Sequence, residues 1–152
     1  MSDTALVVEE DPPRADVLRL LRAAALPTAD VGARADQKFF GIRETDDRGT
    51  WLGVVGVERY GNEALLRSLA VSPAARKRGL GAKLVAAVEL LARARRYRRV
   101  VLLTTDAQAY FSRLGYQPVE RQTLSKALAA STQLTSLCPS SATVMAKDVP
   151  ED

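Results

Sequence analysis

The segment from residue 64 to residue 105 constrains the fold more than any other part of this 152-residue chain. It begins with ALLRSLAV (64–71), typical of a strand, and continues through the loop SPAARKRGLG into an amphipathic helical pattern over about 80–95. The apolar run RVVLLTT (99–105) then has the composition of a strand buried on both faces. Two strands separated by a long helix predict an α/β or α+β fold built on a sheet of mixed direction.

The remaining predicted elements complete one domain over residues 1–152. Further strands are expected at 5–10, 38–44, 50–60, 116–120 and 142–149. Helices are expected over 12–26, 106–115 and 121–135. Pro12 is expected in the first turn of the first of these helices, and Asp106 is expected to be the N-cap of the second.

The chain contains no histidine and one cysteine, and its formal charge is +4. Serine–histidine and cysteine–histidine mechanisms are therefore excluded, and neither a histidine-bearing nor a cysteine-cluster metal site is expected. No signal peptide and no apolar run of membrane length are evident, so no membrane partner is expected, and the single cysteine fits a cytoplasmic protein. The basic excess favours an anionic partner: a phosphorylated cofactor, an acidic substrate or nucleic acid.

The loop SPAARKRGLG combines basic residues with two glycines at a helix start. Backbone N–H groups in the first turn of a helix have no intrahelical acceptor, and the helix dipole favours an anion there. Gly79 and Gly81 allow a close backbone approach or a positive φ. Positive charge is added by Arg76, Lys77 and Arg78. Two interpretations stay open, a phosphate or diphosphate cradle and a solvated helix start, and the loop matches neither a Walker sequence nor GxGxxG.

Two motifs resemble those of the GNAT family of N-acetyltransferases. The first is Arg76-x-x-Gly79-x-Gly81 between a strand and an amphipathic helix. The second is VVLLTTDAQAYFSRLGYQPV, a strand and a short helix followed by a glycine–aromatic pair. The order of elements over residues 5–147 also matches. The resemblance implies an acetyl-CoA-dependent N-acetyltransferase with the GNAT fold, whose mixed central sheet is flanked by helices and splays between strands, here 64–71 and 99–105.

The resemblance assigns cofactor binding mainly to main-chain groups. The main chain of Leu69, Ala70 and Val71 would bind the acetyl carbonyl and the pantetheine arm. The diphosphate would be bound by the backbone amides of Arg76, Lys77, Arg78, Gly79, Leu80, Gly81 and Ala82. The resemblance also implies that Thr104 and Phe111 lie beside the cofactor.

The C-terminal part resembles a narrower group. The segment STQLTSLCPSSATVMAKD, together with GVVGVERYGNEALLRSLAV, is similar to the arsenic-resistance-associated N-acetyltransferases, and distantly to glutamate N-acetyltransferases. This likeness implies a small amino-acid-like acceptor and a role in resistance to arsenic or toxic analogues. It also makes Ser136 and Cys138 candidate acceptor contacts, although a lone cysteine is more often a small buried hydrophobe.

The groups that often transfer protons in this family are replaced here. The general-acid tyrosine, four residues before the glycine–aromatic pair, is Phe111, and Tyr110 points about 100° around the helix. The glutamate that often acts as base is Leu65. Glu58 and Glu63 become the candidate bases, directly or through water, and Tyr110 becomes the candidate acid. The alternatives are exposed strand-end charge for the two glutamates and packing for Tyr110.

An acceptor with an α-amine suits a site that has no clear base. At pH 7, deprotonating a lysine-like amine costs about 4.6 kcal/mol, whereas an α-amine costs about 1.4 kcal/mol. Arg67 is the candidate clamp for the carboxylate of such an acceptor. Strand alternation would put it on one face with Leu65, Leu69 and Val71, and the resemblance implies that this face looks toward the acceptor site. The alternative for Arg67 is a position at the sheet rim, and Arg43 is a second clamp candidate.

The basic run RARRYRR (93–99) is consistent with nucleic-acid binding, but a solvated helix C-terminus explains it without a stacking or reading motif. No nucleic-acid partner is therefore expected. The main hypothesis is acetylation of a small acceptor. Its alternatives are acetylation of a protein or peptide, and a non-catalytic acyl-CoA-binding module, which the missing acid and base favour. A homodimer stays open.

Overall fold

The computed structural model describes residues 5–45, 50–76, 78–131 and 142–150. The strands in these ranges are β1 (Leu6–Glu10), β2 (Lys38–Glu44), β3 (Trp51–Tyr60), β4 (Glu63–Val71), β5 (Arg99–Thr104), β6 (Gln117–Pro118) and β7 (Thr143–Asp148). The helices are α1 (Arg14–Ala23), α2 (Leu80–Ala94), α3 (Gln108–Arg113) and α4 (Lys126–Ala129). Within these ranges, no helix combines the length and the apolar character that crossing a membrane demands.

The strands of the described residues form one seven-stranded sheet in the order β1-β2-β3-β4-β5-β7-β6. The pairs β1–β2, β2–β3, β5–β7 and β6–β7 are antiparallel. The pair β4–β5 is parallel, and the long α2 is the crossover that a parallel pair requires. The predicted α/β class, with a mixed sheet flanked by helices, is confirmed.

The chain divides into two compact units, each with its own core. The first unit comprises the residues up to Val57 and Ser68–Val88, and the second comprises Glu58–Arg67 and the residues from Glu89 onward. A single domain over the whole chain stays a prediction. In the first unit, α1 buries an apolar stripe against the sheet, and the cluster includes Val17, Leu20, Leu21, Phe39, Trp51, Val54 and Ala70. The core of the second unit includes Tyr60, Leu65, Val101, Leu124, Leu128, Val144 and Ala146.

The pairing of β4 with β5 is short. It runs from Glu63↔Arg99 to Leu65↔Val101. In the second unit both strands continue beyond Leu65↔Val101, over 66–67 and 102–104. These described residues of β4 and β5 form no further pairs with each other. A parallel ladder that stops while its strands continue is what the start of the predicted splay requires.

Ser68, in the middle of β4, has a left-handed backbone with a φ of 57°. This conformation costs about 1–2 kcal/mol for a residue other than glycine, so the surrounding structure has to hold it. Side chains alternate between faces only along an extended backbone, and the alternation cannot be carried across Ser68. The prediction that Arg67 shares a face with Leu69 and Val71 assumed an unbroken extended strand; that assumption was wrong, and the shared face stays a prediction.

α1 begins at Arg14 and ends at Ala23, inside the predicted range. Pro13 is its N-cap residue, so the prediction that Pro12 stands in the first turn was wrong. A residue that precedes a proline is kept out of the helical region, which excludes Pro12 from the helix. Ala25, with a φ of 57°, then turns the chain.

The start of α3 also differs from its prediction. Its N-cap residue is Ala107 rather than Asp106, because the Oγ1 of Thr104 accepts the Ala107 N–H at 2.9 Å. Over 121–131, a 3₁₀ turn and the short α4 replace the single helix that was predicted. The rest of that predicted helix, 132–135, lies outside the described residues.

Candidate functional site

The loop between β4 and α2 lies within the first unit. β4 ends at Val71, a 3₁₀ turn follows at Pro73–Ala75, and α2 begins at Leu80. Gly79 has a φ of 73°, and a Cβ atom placed on it would meet nothing within 4 Å. The backbone conformation, rather than a lack of space, is therefore what favours glycine at this position.

The first turn of α2 presents backbone donors that have no acceptor within the helix. The Gly79 carbonyl oxygen accepts the N–H of Lys83 at 3.3 Å, which is the first hydrogen bond of the helix. The N–H groups of Leu80, Gly81 and Ala82 precede that bond and have no acceptor within the helix. The first turn contains no acidic residue. A helix start of this kind fits a phosphate or diphosphate.

The basic residues of the loop differ in their surroundings. Arg76 is exposed. Arg78 NH1 lies 2.7 Å from Glu44 Oε1, and the two side chains are 38% and 29% exposed. A pair this exposed contributes at most about 1 kcal/mol, so an anion at the helix start can compete for Arg78. Lys77 lies outside the described residues.

The end of β4 is held firmly in the first unit. Ala70 is buried in the core of that unit, while Leu69 and Val71 are half-buried. The Ser72 N–H donates to the Leu52 carbonyl oxygen on β3 at 2.7 Å. The main chain of 69–71, predicted to bind the cofactor, is therefore fixed in position.

A buried cluster joins β3 to β4 in the second unit. The Tyr60 hydroxyl donates to Glu58 Oε1 at 2.6 Å, and Arg67 NH1 donates to Glu58 Oε2 at 3.0 Å. Glu58 and Tyr60 are two residues apart, so they share one face of β3. The Arg67 side chain is 1% exposed, which makes the sheet-rim alternative wrong. The ion pair occupies part of the guanidinium that a carboxylate clamp would use.

Glu63, the second candidate base, lies in another ion pair of the same unit. Its Oε2 accepts from Arg99 Nε at 2.6 Å, and its Oε1 accepts from the Ser125 N–H at 3.0 Å. Burial raises the pKa of this carboxyl group, but the Ser125 and Arg99 hydrogen bonds outweigh that effect and hold the pKa below its ordinary value. Arg99 also donates to the Thr123 carbonyl oxygen at 2.8 Å. The low pKa weakens Glu63 as a base, and its contacts tie residues 123–125 to the sheet.

Phe111, which stands where the family often has a tyrosine, is buried between two phenols. Its ring centre lies 5.2 Å from that of Tyr110 and 5.9 Å from that of Tyr116, both edge-on. Burial raises the pKa of Tyr110, with Arg113 opposing. Burial also raises the pKa of Tyr116, and the Glu89 carboxylate, which accepts its hydroxyl at 2.9 Å, raises it further. Both phenols therefore stay protonated at neutral pH.

The other predicted residues have varied positions. Arg43 Nε donates to Glu9 Oε1 at 2.5 Å, and the Arg43 guanidinium lies 5.6 Å from the Trp51 ring centre. Thr104 is buried and uses its hydroxyl to accept the N–H at the start of α3. The predicted acceptor contacts Ser136 and Cys138 lie outside the described residues. The cofactor and acceptor roles of these residues stay predictions.

A groove in the second unit was not anticipated from the sequence. It has a volume of about 510 Å³ and is lined by residues 118–122 and 142–144. Arg121 NH2 donates to the Ala142 carbonyl oxygen at 3.3 Å. Along the chain, the two walls are connected by the segment that contains Ser136 and Cys138. The only signal in the sequence is an arginine at the start of the helix predicted over 121–135, which does not distinguish Arg121 from any surface arginine.

Residues 35–118 match the family described as acetyltransferase (GNAT) domain, and this range is more than half of the chain. It includes the loop between β4 and α2, and it ends after the glycine–aromatic pair. No curated protein sequence matches the chain.

Solved structures share the fold at low sequence identity. N-acetylglutamate synthase from Neisseria gonorrhoeae, complexed with coenzyme A and N-acetyl-glutamate, has a TM-score of 0.79 at 15% identity over 99% of this chain, which spans 36% of that protein. Rv2747 from Mycobacterium tuberculosis, in complex with CoA, has a TM-score of 0.72 at 20% identity, covering 95% and 99% of the two chains. Ribosomal-protein-S18-alanine N-acetyltransferase from Escherichia coli has a TM-score of 0.71 at 14% identity, covering 97% and 96%. These likenesses show the fold. The acceptors that the names of these proteins indicate differ from one protein to another.

Proposed function

This chain belongs to the GNAT family of acetyltransferases, and on that basis we propose that it transfers the acetyl group of acetyl-CoA to the α-amine of a small, amino-acid-like acceptor. The family is acyl-CoA-dependent, and two of the three solved structures named above contain CoA. We expect the protein to act in the cytoplasm, in keeping with its single cysteine.

The observation that carries the proposal is the loop between β4 and α2. The left-handed Gly79 leads into a helix start whose first-turn amides have no intrahelical acceptor and no acidic neighbour in that turn. These groups fit the diphosphate of CoA. In the proposal, the amides of Leu80, Gly81 and Ala82 bind the diphosphate, with the exposed Arg76 adding charge. The fixed main chain of 69–71 orients the acetyl end.

Acetyl transfer to an α-amine requires little of the protein beyond holding the two reactants in position. When bound, acetyl-CoA supplies the acetyl group as a thioester, and a thiol with a pKa near 8.5 is a tolerable leaving group. An α-amine with a pKa near 8 is about one-tenth neutral at pH 7, so a neutral acceptor can enter without a dedicated base. Fixing the two reactants in contact can then account for much of the rate.

The proposal gives the buried cluster of Glu58, Tyr60 and Arg67 a positioning role. Both carboxylate oxygens of Glu58 accept hydrogen bonds, so we assign Glu58 to holding Arg67 rather than to direct proton abstraction. The second possible role of Glu58 is to remove a proton from the acceptor amine through a water molecule. Tyr110 stays the candidate proton donor because it is protonated at neutral pH, although the burial that raises its pKa makes it a weaker acid.

For the carboxylate of the acceptor, we propose Arg121 as the first candidate. It lines the groove of about 510 Å³, a size within the range of small-molecule sites. A guanidinium there can bind a carboxylate through two hydrogen bonds. Ser136 and Cys138, in the segment that connects the walls, stay candidate acceptor contacts. Arg67 and Arg43 stay further candidates, although each already holds a carboxylate.

Two alternative functions have support of their own. The buried Phe111 and Leu65, at the positions of the usual acid and base, favour an acyl-CoA-binding module without turnover. The fold also occurs in a protein named for acetylating a ribosomal protein, which favours a peptide acceptor. A role in resistance to arsenic or toxic analogues would require an amino-acid analogue as the acceptor.

The test is release of the CoA thiol from acetyl-CoA in the presence of three acceptor groups: free amino acids, arsenical and phosphinic amino-acid analogues, and short peptides. The proposal predicts release that depends on a free amino acid or its analogue, and an acceptor KM raised at least about tenfold by Arg121→Gln. Arg113→Gln, at an exposed position of α3, is the matched control. Release with peptides alone would contradict the small acceptor, and tight CoA binding without release would favour the binding module.

A further inference from the structure

A basic cavity in the second unit lies where α2 ends and β5 begins. It has a volume of about 610 Å³, and its lining includes Asn62, Arg93, Arg96, Tyr97, Arg98, Val149 and Pro150. Three of these residues are arginines, and none of the described lining residues is acidic. We propose that this cavity binds a small molecule that carries several phosphate groups, at a site separate from the loop between β4 and α2.

The walls of the cavity are fixed by main-chain hydrogen bonds. The Arg98 N–H donates to the Asn62 carbonyl oxygen at 2.6 Å, and the Val149 N–H donates to the Arg98 carbonyl oxygen at 3.0 Å. Arg98 is thereby held between two segments that are distant in sequence. A ligand in the cavity would meet a preformed wall, so little conformational entropy would be lost on binding.

Arg96 occupies a position where glycine is the usual residue. The Tyr97 N–H donates to the Ala92 carbonyl oxygen at 2.9 Å, and the Arg96 N–H donates to the Arg93 carbonyl oxygen at 3.1 Å. These two bonds form a Schellman motif, whose C′ residue adopts a left-handed backbone, most often as glycine. Arg96 adopts it with a φ of 59°, at a cost that glycine would avoid. The motif places a guanidinium at the cavity despite that cost.

The helix C-terminus does not account for all of this charge. Basic side chains are favourable in the last turn of a helix, which explains Arg93. Arg96 and Arg98 lie beyond the end of α2 at Ala94. Within the described part of the chain, neither of their guanidinium groups makes a hydrogen bond or an ion pair. Like charges gathered around one cavity repel each other, and a multivalent anion would relieve that repulsion.

The lining fits an organic phosphate of small-molecule size. Guanidinium groups bind phosphate oxygens through paired hydrogen bonds, so Arg96 and Arg98 can each serve a phosphate. Tyr97, Val149 and Pro150 add apolar surface, and Arg59 lies 6.0 Å from the Tyr97 ring centre. The volume lies within the usual range for small-molecule sites.

The test is calorimetric titration of the full chain with inorganic tripolyphosphate, with and without saturating CoA. If the proposed function holds, saturating CoA occupies the loop before α2 and prevents tripolyphosphate from binding there. If it does not hold, Arg76→Gln shows whether tripolyphosphate binds at that loop, because binding there should weaken in this variant. The cavity predicts binding that survives both CoA and Arg76→Gln. The double variant Arg96→Gln/Arg98→Gln should weaken this binding at least about tenfold. Arg95→Gln, at an exposed neighbour that does not line the cavity, should change it by less than about twofold.

A second variant separates the site from general charge attraction. Arg96→Gly should raise the melting temperature of the free protein, because glycine adopts the left-handed backbone without strain, and should reduce the further rise that tripolyphosphate causes. An unreduced rise would overturn the proposal. Equal losses in Arg95→Gln and in the double variant would also overturn it, as would the absence of binding with CoA present. If single-stranded DNA bound far more tightly than tripolyphosphate, the small-molecule proposal would be wrong and the ligand of the cavity would be a nucleic acid.

Discussion

The buried Glu63 contributes to stability through its hydrogen bonds with Arg99 and with the half-buried Ser125. Its folded-state pKa lies below the ordinary value, which is near 4.3 in an unfolded chain. The stabilisation is therefore complete above about pH 5 and is lost as the pH falls through the lowered folded-state pKa. We predict that Glu63→Gln lowers the free energy of unfolding at pH 7 by about 1–3 kcal/mol and flattens its decline on acidification.

Urea denaturation between pH 3 and pH 7 would measure this effect. The matched control is Glu44→Gln, which removes a carboxylate from the exposed pair with Arg78 and should cost less than about 1 kcal/mol. Equal losses for Glu63→Gln and Glu44→Gln would show that burial adds nothing to the Glu63 contacts.

Arg67 is paired with Glu58 inside the second unit, so its removal leaves a buried carboxylate without its partner. We predict that Arg67→Ala lowers the free energy of unfolding by about 3–5 kcal/mol. The double variant Glu58→Gln/Arg67→Met should recover at least half of that loss, because it removes both charges and keeps an acceptor for the Tyr60 hydroxyl. Urea denaturation measures both, and a double variant no more stable than the single one would contradict the ion-pair explanation.

At this scale, the sequence predicted residue types better than partners. Glu58 and Arg67 were both singled out, but as a base and a clamp, since nothing in a linear pattern reveals that they face each other. Glu63 was likewise singled out as a candidate base. Its hydrogen-bond partner Arg99, 36 residues further along the chain, was not foreseen. Arg121, which we propose as the acceptor clamp, was not singled out, because residues 118–122 and 142–144 line a common groove only in the folded chain.

Gly79 decides how the chain enters α2. With a φ of 73°, it stands where alanine is strained and asparagine is tolerated. We predict that Gly79→Ala costs about 1 kcal/mol of stability and weakens CoA binding, whereas Gly79→Asn preserves both more closely. Thermal unfolding and calorimetry with CoA would measure the two effects. Unchanged CoA affinity in Gly79→Ala would mean that the loop does not need a left-handed residue.

The long elements could be predicted from their patterns, and the main-chain irregularities could not. β2 spans the predicted residues 38–44, and α2 ends one residue before its expected limit. No glycine or asparagine marks position 68 as left-handed, so the sequence predicted an unbroken alternation along β4 that the backbone at Ser68 interrupts. Short elements depend on local and tertiary contacts. At the start of α3, the Thr104 hydroxyl accepts the Ala107 N–H, and the N-cap residue is Ala107 rather than the predicted Asp106.

For the whole molecule, the proposed reaction depends on the ionisation of the acceptor rather than of a catalytic base. The value of kcat/KM should rise about tenfold per pH unit up to the pKa of the acceptor amine and then level off. Acceptors with different amine pKa values should shift the break accordingly, and Glu58→Gln should leave it in place. Steady-state rates between pH 6 and pH 10 would test this. A break at one fixed pH for all acceptors would identify a titrating group of the protein instead.

The most direct test of the account is calorimetric titration with acetyl-CoA, because every proposed step depends on the loop before α2. We predict that Gly81→Asp weakens binding at least about tenfold, through added bulk and through repulsion of the diphosphate. An aspartate in a first helical turn favours the helix, so the variant should stay folded. Ala86→Asp, at an exposed position of α2, is the matched control and should bind as the unaltered protein does. A folded Gly81→Asp protein with unchanged acetyl-CoA affinity would contradict the account.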